Sequence, residues 1–183
     1  YPAEPESAYG WSKLMGQYET ELLGNESSIK TCTLMLHNVY GSPCDYSVER
    51  SQVIPSLIRK VLDETISELV VWGSGRQGRA FIHVNDVIDG IVSALDKGWG
   101  HGHIQLGPDV CTSIKDIAEN LVNIPVNNSK EIRYDTTKPE GDLARAADYS
   151  KANKILEWSP KVKLKDGLQD LYGWIEKKIK FNG

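Results

Sequence analysis

The chain of 183 residues predicts an α/β layer fold. Three observations carry that expectation. Short apolar, β-branched runs alternate with longer segments whose apolar residues recur at helical spacing. Clusters of glycine, proline and asparagine separate them, and no internal repeat or low-complexity stretch breaks the alternation. With 40% apolar residues, the chain has enough hydrophobic surface for a real core.

Taken in order, residues 8 to about 24 read as a helix with Leu14, Tyr18 and Leu22 on one stripe and Gly24-Asn25 as its stop. Lys30-Thr-Cys-Thr-Leu-Met-Leu36 suits a buried strand running into a loop, His37-Asn-Val-Tyr-Gly-Ser-Pro43. Residues 47–63 read as a helix through Val48, Val53, Ile54, Leu57, Ile58, Val61 and Leu62, with Pro55 near its start. Leu69-Val-Val-Trp72 and Ala80-Phe-Ile-His-Val84 are strand-like and flank Gly73-Ser-Gly-Arg-Gln-Gly78. That link spells G-x-G-x-x-G, but a dinucleotide loop needs glycines that open a helix. These open a strand, so a hairpin-like connection is expected. Residues 85–97 form an amphipathic helix through Val87, Ile88, Ile91, Val92 and Leu95, closed by residues 98–102. His103-Ile-Gln-Leu-Gly107 reads as a strand, and residues 113–122 as a helix with Ser113 and Asp116 as a capping pair. A last strand is expected at 131–134. After a polar loop at 135–146 come helices at 150–156 and 165–180, the second with Leu168, Leu171, Tyr172, Ile175 and Ile179 inward.

Charge and composition narrow the function. The net charge of -4 arises from interspersed acids and bases, with no basic run to track a phosphate backbone, so no nucleic-acid partner is expected. No apolar stretch approaches the ~20 residues of a membrane span, and no charged-then-apolar leader opens the sequence. Cys32, Cys44 and Cys111 are scattered without metal-type spacing, which suits free thiols in a reducing cytoplasm. Asn25-Glu-Ser27 and Asn127-Asn-Ser129 match the glycosylation pattern but lack an export signal to give it meaning. His101 and His103 form a His-x-His without a third ligand nearby, so no metal is expected. His83 reads as a hydrogen-bonded core or helix-start residue, while His37 stands beside Asn38 at a strand end, where functional groups collect in open α/β sheets.

The residues that point to chemistry are Tyr9 and Lys13. Four positions apart on a helix, they share a face, and an ammonium beside a phenol favours the phenolate. Such a pair serves as a general acid or base for a substrate hydroxyl.

Further motifs follow in order: Asn38-Val-Tyr-Gly41, Trp72-Gly-Ser-Gly, Arg79-Ala-Phe-Ile-His-Val-Asn-Asp86, Ser113-Ile-Lys-Asp-Ile-Ala118, Lys138-Pro-Glu-Gly-Asp142, Arg145, Asp148-Tyr-Ser-Lys-Ala152 and Leu156-Glu-Trp-Ser-Pro160. With Tyr9 and Lys13 the set resembles the extended short-chain dehydrogenase/reductases, and more narrowly their nucleotide-sugar epimerase and dehydratase branch. The resemblance covers essentially the whole chain. Within that branch, residues 1–10 with His37-Asn38 and Pro139-Glu-Gly141 look like the GDP-mannose 3,5-epimerases. Around residues 49–53, where the GDP-mannose 3,5-epimerases carry a second acid/base lysine, this chain has Arg50, Ser51 and Gln52; Ser51-Gln-Val-Ile-Pro55 is similar instead to the GDP-fucose synthases, with Gln52 where those have histidine.

The resemblance implies the C-terminal part of a Rossmann-like doubly wound sheet plus a smaller α/β substrate-binding domain. Residues 1–46 would be the remnant of the NAD(P)-binding domain, and 47–183 mainly the nucleotide-sugar part, with some segments returning to the first sheet. It implies NAD or NADP as cofactor and a transient keto sugar, with Tyr9 as acid/base and Lys13 favouring the phenolate and binding the nicotinamide ribose. Asn38 would face both cofactor and substrate, while Arg79, Arg145 and Lys138 would hold the diphosphate, guanidinium groups matching phosphate oxygens in pairs. Trp72 and residues 53–57 are read as core packing, with shaping of the base pocket as their alternative role. The implied activity is a nucleotide-sugar epimerase, with GDP-sugars favoured and a homodimer in the full-length enzyme. Dehydratase, reductase and non-catalytic nucleotide-sugar-binding fragment stay open. The family's glycine-rich phosphate loop would belong upstream of Tyr1, so the sheet is expected to expose apolar surface and the chain to self-associate.

Overall fold

Parallel strand pairs, each joining segments distant in sequence, organise the molecule. The computed structural model describes residues 4, 5, 7–125, 130–141 and 143–182, so Asn127-Asn-Ser129 and Asp142 lie outside the described residues. Helix α1 (Ala8–Glu26) is capped by Ser7, whose hydroxyl accepts from the Gly10 amide. It leads to β1 (Cys32–Leu36), which pairs in parallel with β6 (Gly102–Leu106), Cys32 opposite Gly102 and Leu36 opposite Leu106. The chain then changes partner. His37 N–H donates to the Leu106 carbonyl and Asn38 N–H to the Ala80 carbonyl, both at 3.1 Å, and β2 (Asn38–Tyr40) runs parallel to β5 (Phe81–His83). Helix α2 (Val53–Leu62) follows, then β3 (Glu68–Trp72), which pairs in parallel with β8 (Glu131–Asp135). The short β4 (Gly78–Arg79) is antiparallel to β7 (Thr112–Ser113). Helices α3 (Val84–Lys97), α4 (Ile114–Val122), α5 (Ser150–Leu156) and α6 (Leu164–Asn182) complete the order.

Two cores result. In the first, the buried stripe of α2 (Ile54, Leu57, Ile58, Val61) meets Leu69 and Val71 of β3, Ile117 and Leu121 of α4, and Leu168, Leu171 and Ile175 of α6. The second gathers Ile82, Val87, Ala94, Ile104, Leu106, Leu156 and Trp158. Strand β5 serves both. Successive strand residues point to opposite faces, so Phe81 enters the first core and Ile82 the second. Helix α3 approaches β6 closely because Gly90 has no side chain: a Cβ there would stand 2.6 Å from a Leu106 methyl carbon and 3.2 Å from the Trp158 indole nitrogen. The expected capping box is formed, with Ser113 and Asp116 exchanging bonds at the start of α4. His83 is buried and caps α3 through Nδ1, which accepts from the Asn85 amide at 3.3 Å.

Three expectations require correction. The strands flanking Gly73-Ser-Gly-Arg-Gln-Gly78 form no hairpin; β3 joins β8 and β4 joins β7, and Gly73 and Gly75, both at φ +76°, turn the chain out of one sheet toward the next. The helix expected at 47–63 begins only at Val53, since Asp45 accepts from the Ser47 amide at 2.8 Å and bends the preceding segment. Pro55 is then the third helical residue, where no intrahelical N–H is required. In the segment 37–43, residues 38–40 are strand rather than loop.

Apolar surface is exposed on both sides of β1. Helix α1 buries no residue and presents Trp11, Met15, Tyr18 and Leu23 to solvent. Helix α3 buries Val87, Gly90 and Ala94, leaving Ile88, Ile91, Val92 and Leu95 as a second apolar face. Parallel sheets are ordinarily covered on both faces. The chain is therefore expected to self-associate, and Val92→Glu combined with Leu95→Lys should lower its apparent mass at a given concentration, as checked by light scattering.

Candidate active site

The helix that carries Tyr9 leads through a short link into β1 and then into β2, which carries Asn38. The 19 residues of α1 span ~28 Å, close to the ~30 Å of residues 32–40 in extended conformation. The short link from Glu26 to Cys32 joins the end of α1 to the start of β1, and α1 packs against that strand. Tyr9 is 73% exposed, and the Lys13 ammonium stands 5.2 Å from the centre of its ring. Lys13 makes no ion pair among the described residues. Both side chains are thus free to meet a ligand.

Where the chain changes partner from β6 to β5, a cavity of about 430 Å³ borders β2 and β5. Asn38, Tyr40, Cys44, Asp45, Arg50 and Gln52 line it, with apolar walls from Val53, Phe81 and Val84. Asp45 is ion-paired with Arg50 at 3.3 Å; hydrogen bonds from Ser47, and secondarily Arg50, hold its carboxyl below the usual range. Burial, with Asp45 assisting, pushes the Cys44 thiol up. Burial also raises the Tyr40 phenol, reinforced by Asp86, Asp166 and Asp170. His37 Nε2 lies 2.9 Å from Gln105 Oε1, which also accepts from the Asp148 amide, so this histidine braces the junction. A larger cleft, about 820 Å³ between the end of α2 and α6, contains none of the expected site residues.

Two cationic side chains, Arg79 and Lys138, flank the glycine-rich link. Asn38 pairs with Phe81, two residues beyond Arg79. The Arg79 guanidinium donates to the Gly78 carbonyl at 2.7 Å, and a Cβ on Gly141 would lie 2.6 Å from one of its nitrogens. The segment 138–141 folds over the glycine-rich link, where Glu140 accepts from the amide and the hydroxyl of Ser74. This brings the Lys138 ammonium to 5.6 Å from the centre of the Trp72 ring. Trp72 is 58% exposed, which corrects its reading as core: it ends β3 on the solvent side and offers one ring face. Arg145 is exposed on the same loop.

Comparison with known proteins gives this geometry a family. Residues 1–107 match the NAD dependent epimerase/dehydratase family. The chain belongs to that family. A putative GDP-L-fucose synthase 2 of Arabidopsis thaliana is 35% identical over 177 residues, covering 94% of this chain and 53% of the relative. A GDP-mannose 3,5-epimerase 1 of Oryza sativa subsp. indica is 28% identical over 180 residues, 98% of this chain and 46% of the relative. Among solved structures, a UDP-glucose 4-epimerase of Thermotoga maritima superposes with a TM-score of 0.87 at 27% identity, over 96% of this chain and 55% of that one. The chain spans about half the length of the curated relatives it matches.

The family is NAD(P)-dependent and acts on nucleotide sugars by epimerisation, dehydration or reduction, on a Rossmann-like fold. Of the expected site residues, the structure brings Tyr9 to Lys13 and sets Asn38 in the cavity. Arg79 lies against Gly141 and Lys138 over the Trp72 ring, at the two ends of the segment 138–141, while Arg145 lies further along the loop. Sequence reasoning missed Asp45, Arg50 and Glu140. Asp45-x-Ser47 carried a turn signal that hinted at the bend, but a carboxylate reaching Ser74 from residue 140 leaves no local pattern.

Proposed function

We propose that the chain forms the acid/base and nucleotide-sugar-binding parts of an NAD(P)-dependent nucleotide-sugar epimerase working through a transient keto sugar. What supports this reading is the pairing of Tyr9 with Lys13, the 430 Å³ cavity lined by Asn38, and the cations Arg79 and Lys138 at the glycine-rich link. A bound nicotinamide would supply reversible hydride transfer at one sugar carbon. Tyr9 takes the hydroxyl proton from that carbon as it becomes a ketone and returns it when the hydroxyl re-forms. Lys13 fits the cofactor side, its ammonium beside the Tyr9 ring and without an ion pair among the described residues. Asn38 directs a sugar or diphosphate oxygen within the cavity, and Arg79, Arg145 and Lys138 neutralise the diphosphate. Trp72 offers its face to the base, and the GDP-sugar relatives favour guanine.

A second reading, a reductase of the same family, is favoured by the likeness to a GDP-6-OMe-4-keto-L-xylo-heptose reductase of C. jejuni, with a TM-score of 0.84 at 25% identity over 93% of this chain. Because the chain spans about half of its curated relatives, binding without turnover is the outcome if no cofactor contact is made. A cytoplasmic homodimer belongs to the same proposal for the full-length enzyme. Calorimetric titration with GDP-mannose and, separately, with NAD tests it. Binding of GDP-mannose is expected, and Arg79→Ala should weaken it by about 1.5–3 kcal/mol, the worth of hydrogen bonds to a charged group. Absence of nucleotide-sugar binding would overturn the proposal.

A further inference from the structure

The chemistry of the sugar cavity is defined by which of its groups are able to move a proton. Removing a proton from a carbon that flanks a ketone requires a general base within hydrogen-bond reach. Among the described residues, four ionisable side chains line the cavity: Tyr40, Cys44, Asp45 and Arg50. Asp45 is already occupied, accepting from the Ser47 amide at 2.8 Å and facing the Arg50 guanidinium at 3.3 Å. Cys44 is half-buried beside that carboxylate, and both influences keep its thiol protonated. Tyr40 is 6% exposed, its ring edge-on to His83, and its phenol is likewise held neutral. Arg50 is a permanent cation.

The remaining polar side chains are two carboxamides, Asn38 and Gln52. Gln52 caps α2 through its backbone only; its side chain makes no capping bond to the helix. Both its donors and its acceptor are therefore available to the cavity. A carboxamide orients hydroxyl and carbonyl oxygens without exchanging protons with them.

We infer that Gln52 is a specificity-determining residue, which holds the sugar by hydrogen bonds and confines the reaction to the one carbon served by Tyr9, leaving the hydrogens on the flanking carbons unexchanged. This rests on the nucleotide-sugar reading above and narrows it to inversion or reduction at a single centre. A hydride moves at that carbon and a proton at its oxygen, the first exchanged with the nicotinamide and the second with Tyr9, and no carbon–hydrogen bond beside it breaks.

The test needs no cofactor. GDP-4-keto-6-deoxy-mannose is incubated with the chain in D2O, its binding is measured by calorimetry in the same buffer, and deuterium at the carbons flanking the ketone is followed by NMR. Binding with exchange no faster than in buffer alone is the expected result. Binding with enzyme-dependent exchange overturns the inference while leaving the nucleotide-sugar reading intact. Failure to bind overturns that reading, and the inference with it. Gln52→Glu places a carboxylate at the same point and should raise exchange by ~10²-fold. A Gln52→Glu variant that binds the keto sugar without faster exchange shows that residue 52 does not face the flanking carbons, and sinks its assignment.

Discussion

Tyr9→Phe is expected to lower turnover of a nucleotide sugar by ~10²–10⁴-fold, the usual contribution of a positioned general acid or base. The substitution removes one hydroxyl and keeps the ring over which Lys13 sits. Tyr9 is 73% exposed and makes no core contact, so folding stability should change by less than about 0.5 kcal/mol. Nucleotide-sugar affinity should be unchanged, because the cavity and the cations Arg79 and Lys138 lie on other segments. Steady-state rates with NAD(P) and titration with GDP-mannose, made on the same preparations, separate these effects. A variant that turns over at the wild-type rate would remove Tyr9 from the mechanism.

Asp86→Ala should produce the largest loss of stability, about 2–4 kcal/mol, through two orphaned backbone donors. The Asp86 carboxylate is 2% exposed and accepts from the amides of Lys161 at 3.1 Å and Val162 at 3.0 Å. It thereby fastens the segment before α6 to the first turn of α3. The Trp158 indole bonds to the Asp86 backbone carbonyl at 2.9 Å, a contact that survives the substitution. Asp86→Asn retains one acceptor oxygen and should cost roughly half as much. For a chain of this size the alanine variant should melt about 5–15 °C lower. Equal melting temperatures for the alanine variant and the native chain would show that water replaces the carboxylate.

Much of this molecule was legible because its helices carry local signals. The stripe Ile54, Leu57, Ile58, Val61 and the reciprocal bonds of Ser113 and Asp116 involve neighbours in sequence, and both were anticipated. Strand β2 and the bridge between β4 and β7 were not, since a partner distant in the chain decides whether such short runs pair. The same difficulty produced the hairpin error: glycine spacing marks a turn but does not say which sheet receives the next strand. At the site, helical spacing placed Tyr9 and Lys13 on one face, but their assignment to chemistry came from the whole ordered set of motifs and not from the spacing alone. Trp72 was not legible, because an aromatic residue closing an apolar strand looks identical whether its ring faces the core or, as here, the Lys138 ammonium.

The strand register also bears on how the molecule is made. Cys32 pairs with Gly102, Asn38 with Phe81, and Glu68 with Glu131, so no parallel strand finds its partner until a long stretch of later sequence has been synthesised. Loops of this size must close before native contacts compensate them, which makes folding slow. During that interval the apolar β1 lacks its β6 partner, and the edge it presents is open to pairing with any other chain at hand. Yield on expression should therefore depend on temperature and on chaperone supply more than on the stability of the finished fold.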